Sequence, residues 1–167
     1  MYAIAIDGPA GAGKSSVAKA AAKALGFVYV DTGALYRTVG LYLLRSEVDP
    51  ADAEAVEPKL RDIQVDLKYE DGVQHVILNG EDVSGLIRTP EVSMAASACA
   101  SVPAVRKFLF SAQVDMAKKY NVIMDGRDIG TTILPNAQVK IFSDGFARGT
   151  RRAPLQGAQG KRRGREL

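Results

Sequence analysis

The chain has 167 residues, 47% of them apolar and 25% charged, with a formal net charge of +3, which is the composition of a single globular domain with a buried core. Its one cysteine, Cys99, excludes an internal disulfide framework, and its one histidine, His75, excludes a metal site built from several imidazoles. No apolar run approaches the length of a membrane span and the first residues lack the pattern of a signal peptide, so we expect a cytoplasmic protein without a membrane partner.

The first predicted element is a short apolar strand from Tyr2 to Asp7, and a glycine-rich run follows it directly. Residues 8–15 read GPAGAGKS, which fits the P-loop pattern G-x-x-x-x-G-K-[ST], and a helix-prone, alanine-rich segment over 14–25 comes next and ends at Gly26. This order aims several backbone N–H groups and the positive helix end at one point. The pattern therefore predicts a site for the phosphates of a nucleoside triphosphate rather than a chance glycine-rich turn.

Two side chains of this loop carry predicted chemistry. Lys14 reaches the outer phosphates as a point charge, and the Ser15 hydroxyl faces Mg²⁺ as a direct ligand. The residues predicted to bind the nucleotide are Gly8, Gly11, Ala12, Gly13, Lys14, Ser15 and Ser16.

The remaining elements alternate between strands and helices. In chain order we predict a strand over 27–30, a helix over 34–45 capped by Thr32, a short acidic helix over 51–61, a β-hairpin over 63–69 and 74–78 with a third short strand at Val83, helices opening at Pro90 and Pro103, and strands over 122–125 and 139–142. This alternation indicates an α/β fold with a parallel sheet, whose ligand lies at the carboxyl ends of the strands.

Three aspartates fall at such strand ends, namely Asp7, Asp31 and Asp125. One aspartate at a strand end is often a helix cap, but three on successive buried strands favour a nucleotide site. Asp125 is in addition a candidate metal ligand acting through a water molecule.

Five stretches of the sequence resemble the bacterial cytidylate kinases, a family of P-loop nucleoside monophosphate kinases. They are AIDGPAGAGKSSVAK at 5–19, DTGALYR at 31–37, LNGEDVSGLIRTPEVSMAAS at 78–97, VPAVR at 102–106 and DGRDIGTTILPNAQVKIF at 125–142. The resemblance implies a P-loop NTPase-type sheet with flanking helices, and a small inserted monophosphate-binding region over about 31–106 that contains the hairpin. It also implies Mg²⁺-dependent transfer of the ATP γ-phosphoryl group to CMP or dCMP.

The same resemblance implies roles for individual residues. Lys14 and Arg127 look catalytic, Thr32, Arg37 and Arg127 look placed to hold the monophosphate, and Ser97, Arg106 and Asp128 look placed to read the cytosine edge. The chemistry agrees, because guanidinium forks pair with phosphate and a carboxylate accepts from the cytosine amine. Taken singly, the arginines could equally be surface ion pairs and Ser97 a helix-packing serine.

After Phe142 the resemblance stops, and the family's lid and last strand are not recognisable. Seven basic residues lie beyond that point, and the 15 basic and 17 acidic residues before it give the body a net charge of −2. We therefore divide the chain into a kinase core over 1–142 and a non-homologous, disordered tail over 143–167. With suitable codons, a one-nucleotide frame shift turns the tail into a sequence resembling the family's lid, so we hypothesise a truncated frameshift product.

The expected function is phosphorylation of CMP or dCMP by ATP, impaired in this chain by the missing lid, in a monomer without a specific nucleic-acid partner. Three alternatives stay open: a nucleotide-binding remnant without catalysis, a P-loop kinase for another small acceptor, and nucleic-acid binding through the basic tail.

Overall fold

Four parallel strands form the central sheet of the protein, whose computed structural model describes residues 1–70 and 73–144. They are β1 (Ala3–Asp7), β2 (Val28–Asp31), β6 (Val122–Gly126) and β7 (Val139–Phe142), in the spatial order β2-β6-β1-β7. The α/β fold and its parallel sheet confirm the prediction from the sequence. Most of the predicted tail, residues 145–167, lies outside the described residues.

Helices cover both faces of this sheet, because alternate strand residues point to opposite sides. Ile4, Ile6 and Ile123 pack on one face with alanines of the first helix, α1 (Lys14–Leu25). The other face belongs to the larger core, which contains residues of four further helices. These are α2 (Thr32–Arg45), α3 (Ala53–Lys59), α4 (Pro90–Cys99) and α5 (Pro103–Lys119). Cys99 is fully buried in this core.

The start of α2 differs from the prediction. Asp31, not Thr32, caps the helix, since its carboxylate accepts from the backbone N–H of Ala34 at 3.0 Å. Both residue types are good caps, but the Thr32 hydroxyl donates instead to the backbone oxygen of Asp125 at 2.7 Å. The helix therefore begins two residues earlier than its predicted start at residue 34.

A second, antiparallel sheet lies beside the core and consists of β3 (Val65–Glu70), β4 (Val73–Leu78) and β5 (Glu81–Asp82). The first two strands pair as the hairpin pattern predicts. The third strand, predicted at Val83, ends one residue earlier, and Val83 is buried just after it. The predicted helix over 51–61 is shorter, and a 3₁₀ turn over Leu60–Asp62 follows α3.

Asp82 in this small sheet carries a testable pH dependence. Hydrogen bonds from the Ser84 hydroxyl and backbone N–H, followed by His75, lower the pKa of Asp82 to about 2. The pKa of an aspartate in an unfolded chain is about 4. The ionised Asp82 carboxylate therefore stabilises the fold above that pH. This stabilisation is lost as the pH falls from about 4 towards 2, where Asp82 takes up a proton in the folded state as well.

Asp82→Asn is accordingly expected to flatten the fall in thermal unfolding temperature between pH 5 and pH 2. Ser84→Ala removes the strongest donor and should flatten the same slope in part. Equal slopes for the wild-type chain and Asp82→Asn would contradict this assignment.

Among the described residues, no helix is both long and apolar enough to cross a membrane.

Candidate active site

The carboxyl edge of the central sheet brings the predicted site residues together. The P-loop follows β1 directly, and the strand register sets Asp31 beside Asp125 and Asp7 beside Gly126. The three aspartates at strand ends therefore lie along one edge, as the parallel sheet predicts.

Lys14 and Ser15 lie at the start of α1, where the P-loop ends. The Lys14 ammonium donates to the backbone oxygen of Pro9 at 2.6 Å, so the positive charge lies against the P-loop backbone. The Ser15 hydroxyl donates to a carboxylate oxygen of Asp125 at 2.6 Å. The Tyr29 hydroxyl contacts the other oxygen of that carboxylate at 3.1 Å.

Ser15 and Asp125 form a pair that suits a divalent cation. A hydroxyl and a carboxylate are the oxygen ligands that Mg²⁺ takes, with phosphates and water as the others. Burial raises the pKa of Asp125, against the lowering effect of the hydrogen bond from Ser15, so a cation here would stabilise the ionised carboxylate. In residues 1–70 and 73–144 no cluster of three or more histidine, cysteine or acidic side chains forms a dedicated metal site.

The other two aspartates serve the architecture of this edge. Asp31 caps α2 and pairs with the Arg37 guanidinium at 3.0 Å. Asp7 accepts the backbone N–H groups of Ile129 and Gly130, at 2.7 and 2.8 Å. Only Asp125 of the three contacts a P-loop side chain in the described hydrogen bonds.

Arg37 presents an unused donor at this edge. Its Nε is buried without a hydrogen-bond partner among the described residues. A buried guanidinium N–H left unpaired costs free energy, so an anionic acceptor is a favourable addition. Thr32, five residues before Arg37, is also buried, but its hydroxyl already donates to the backbone oxygen of Asp125. A phosphate oxygen would have to replace that carbonyl as acceptor.

Arg106 and Asp128 form a second polar cluster with a residue that the sequence pattern does not single out, Tyr36. The charged atoms of Arg106 and Asp128 are 3.7 Å apart, and both side chains stay accessible, at 61% and 45% exposure. Burial raises the pKa of Tyr36, while a hydrogen bond with Arg106 opposes that shift. The cluster thus presents a carboxylate, a guanidinium and a neutral phenol side by side.

Arg127 faces the P-loop across an open groove of about 400 Å³ that Gly8, Pro9, Ala10 and Phe142 also line. Ser97 is exposed on α4, and no hydrogen bond joins it to Arg106 or Asp128 in the described part of the chain. A second groove of about 320 Å³ lies between α3 and the start of α5, with none of the predicted site residues in its lining.

Four contacts at the site are not predicted by the sequence. Tyr29 and Tyr36 have the spacing of core residues, so their hydroxyl partners are not readable from the pattern. Asp7 is predicted as one of three strand-end aspartates that favour a nucleotide site, not as an acceptor for the N–H groups of Ile129 and Gly130. The Ser143 hydroxyl donates to the backbone oxygen of Ala12 at 2.8 Å, inside the P-loop, although this residue belongs to the predicted tail.

Comparison with known proteins agrees with this geometry. A family model described as cytidylate kinase matches residues 4–166. A cytidylate kinase of Caldicellulosiruptor bescii is 51% identical over 139 residues, or 83% of this chain and 62% of the relative. One of Bacillus cereus is 50% identical with the same coverage. A bifunctional pantoate ligase/cytidylate kinase of Synechococcus sp. is 49% identical over 140 residues, or 83% of this chain and 29% of the relative.

The chain thus spans 62% of the length of the first two relatives. The family-model match runs past Phe142 to residue 166, whereas the pairwise alignments cover 139 or 140 residues. With the P-loop, the Ser15–Asp125 pair and the arginines on one edge of a parallel sheet, these matches establish that the chain belongs to the cytidylate kinase family.

Proposed function

We propose that this protein transfers the γ-phosphoryl group of MgATP to CMP or dCMP, giving ADP and CDP or dCDP. One observation carries the proposal: the P-loop and the Arg106–Asp128 ion pair belong to the same edge of the sheet, and Arg127 lines the groove beside the loop. Relatives named cytidylate kinase support the same reaction.

On the donor side, the P-loop amides and Lys14 bind the β- and γ-phosphates. Lys14 exchanges its bond to Pro9 O for phosphate oxygens as the nucleotide enters. Ser15 and Asp125 would hold Mg²⁺, the hydroxyl directly and the carboxylate through water. The ion, when bound, neutralises charge on the phosphates.

On the acceptor side, Arg37 and Arg127 bind the monophosphate. Arg37 brings a buried, unpaired Nε–H and is kept in place by Asp31. Guanidinium forks suit a dianionic phosphate because two parallel N–H groups match two oxygens. Thr32 assists if a phosphate oxygen replaces Asp125 O as the acceptor of its hydroxyl.

The base is read by the cluster around Asp128. The carboxylate accepts from the exocyclic amine of cytosine, a donor that uracil lacks, and Arg106 donates to the ring acceptors. Tyr36 adds a neutral hydroxyl beside them. Ser97 is the remaining candidate for this edge, from α4.

The reaction needs no covalent intermediate. An oxygen of the CMP phosphate attacks the γ-phosphorus in line while the bond to the ADP oxygen breaks. In this proposal Lys14 and Arg127 stabilise the equatorial charge of the transferred group, so positioning and electrostatics supply the rate.

Asp128→Ala tests the acceptor assignment. Cytosine loses its amine acceptor while uracil loses nothing, and an unpaired base-edge group costs about 1–3 kcal/mol. We expect the ratio of CMP to UMP affinity to fall about tenfold or more, with MgATP affinity unchanged. Isothermal titration of each nucleotide measures this.

Asp115→Ala is the matched control, because Asp115 is an exposed carboxylate on α5 whose nearest partner is Lys118 at 3.6 Å. Its CMP to UMP ratio should equal that of the wild-type chain. Asp128→Ala with an unchanged ratio would remove Asp128 from base recognition. A wild-type chain with MgATP affinity but none for either monophosphate would favour the nucleotide-binding remnant instead.

A further inference from the structure

Asp7 makes an unusual long-range connection at the candidate active site. It lies at the end of β1, one residue before the P-loop, yet its two carboxylate oxygens accept the N–H groups of Ile129 and Gly130 at 2.7 and 2.8 Å. Those two residues begin the π-helical turn over Ile129–Ile133, which directly follows Asp128. The segment before the donor loop therefore fixes the segment that carries Asp128.

Asp7 accepts hydrogen bonds that the side chain of the N-cap residue would normally accept in part. Asp128 is the residue preceding the turn, and an aspartate there ordinarily accepts a hydrogen bond from the N–H of the second or third residue of the turn, here Gly130 or Thr131. The Asp128 side chain makes no such capping hydrogen bond. Its carboxylate lies instead 3.7 Å from Arg106 and is partly exposed.

Loss of the acceptor for the Ile129 and Gly130 N–H groups would cost free energy, because both residues are buried. Ile129 is 1% exposed and Gly130 is buried, so solvent does not replace a lost partner easily. The contact is also tight, since a Cβ on Gly130 would lie 3.2 Å from an Asp7 oxygen and 3.2 Å from Lys140 Cδ. If Asp7 no longer accepts hydrogen bonds from these N–H groups, the carboxylate nearest in sequence is that of Asp128, which is the N-cap residue of the turn.

We propose that Asp7 is a positioning residue that saturates the Ile129 and Gly130 N–H groups and so keeps the Asp128 carboxylate available for the acceptor base. The proposal rests on the proposed function for the role of Asp128 and goes beyond it in assigning base selectivity to a residue of the donor-side strand. Without Asp7, Asp128 turns inward to cap its own turn and is lost to the base.

Asp7→Asn is the decisive substitution, because the amide keeps the shape of the carboxylate but presents an NH₂ group to one of the two N–H donors. We expect the ratio of CMP to UMP affinity, measured by isothermal titration, to fall about fivefold or more, with MgATP affinity within about twofold of the wild-type value. A role confined to fold stability would weaken CMP and UMP alike and leave their ratio unchanged.

A matched control exists in Asp52, which caps α3 far from this edge and also accepts two backbone N–H groups, those of Glu54 and Ala55. Asp52→Asn makes the same carboxylate-to-amide change at a helix cap and should leave the nucleotide ratio at its wild-type value. In the Asp7→Asn/Asp128→Ala double variant, the ratio should be no lower than in Asp128→Ala alone.

Amide hydrogen exchange gives a readout that requires no ligand. In Asp7→Asn the Gly130 amide should stay protected, because Asp128 replaces the lost acceptor at the second residue of the turn, and the double variant should lose that protection. Should Asp7→Asn fail to fold, Gly130→Ala displaces the same carboxylate by a few tenths of an ångström and is expected to lower the nucleotide ratio in the same direction.

The outcomes separate the two claims. A wild-type chain that binds CMP and UMP equally overturns the base selectivity assigned to Asp128 in the proposed function, and the inference falls with it. A wild-type chain that prefers CMP, with Asp7→Asn or its substitute Gly130→Ala retaining that preference, overturns the inference alone. Loss of preference together with Asp128-dependent amide protection supports it.

Discussion

Lys14→Ala is expected to reduce phosphoryl transfer about 100-fold or more, the largest loss of activity for any single side chain of the site. The ammonium lies 2.6 Å from Pro9 O, within the loop that would receive the phosphates. Alanine removes the only cation at the end of the P-loop pattern, and the loop N–H groups are left to bind a highly charged triphosphate alone. The transition state loses more than the ground state, because its charge is more widely spread over the transferred group.

Lys19→Ala is the matched control on the same helix, since Lys19 is exposed and its ammonium lies 5.6 Å from the centroid of the Tyr29 ring. Transfer should stay near the wild-type rate in this variant. Both proteins are assayed for CDP formation from ATP and CMP, with thermal unfolding measured in parallel. Wild-type turnover and MgATP affinity in Lys14→Ala would show that the P-loop pattern has no nucleotide function here.

Gly8→Ala is expected to destabilise the fold by about 3 kcal/mol or more. A Cβ at this position would clash with the backbone oxygen of Ser143, and the Gly8 φ angle of +147° is one that side-chain-bearing residues rarely adopt. The neighbour cannot rotate away, because Ser143 donates its N–H to Asp7 O and its hydroxyl to Ala12 O, both at 2.8 Å. Relief of the clash requires movement of the P-loop or of the end of β7.

Gly11→Ala separates the steric clash from backbone strain. Gly11 has a φ of +78°, but no atom lies within 4 Å of the position that a Cβ would take, so alanine there should cost only about 1 kcal/mol. Urea-induced unfolding of both variants gives the difference as the combined cost of the clash with Ser143 and of the less favourable φ angle at Gly8. If Gly8→Ala proves no less stable than Gly11→Ala, then Ser143 does not pack against the P-loop in solution.

Most of the fold is predictable, because strands and helices of the core follow short-range patterns. The apolar run before Gly8 and the alanine-rich segment after it define a strand, a loop and a helix without reference to the rest of the chain. The cap of α2 is not predictable from neighbours alone. Asp31 and Thr32 are both good caps, and the choice depends on the backbone of Asp125, 93 residues away from Thr32.

The candidate site also has a part that is predictable from the sequence and a part that is not. The P-loop roles follow from local spacing, and so does the selection of Arg37 and Asp128 inside motifs. What the pattern cannot give is which partner a polar side chain finds across the sheet. Asp7 and the first residue of the π-helical turn are 122 residues apart in sequence, and no periodicity of residues 129–133 indicates that a remote carboxylate caps them.

The most direct test of the central claim is a single-turnover reaction with this chain in excess over radiolabelled CMP and with saturating MgATP. We expect conversion of CMP to CDP, slower conversion of UMP, and none above background for Lys14→Ala. Excess protein reveals transfer even when turnover is slow. A natively folded chain that binds MgATP and CMP but forms no CDP would contradict the proposed reaction.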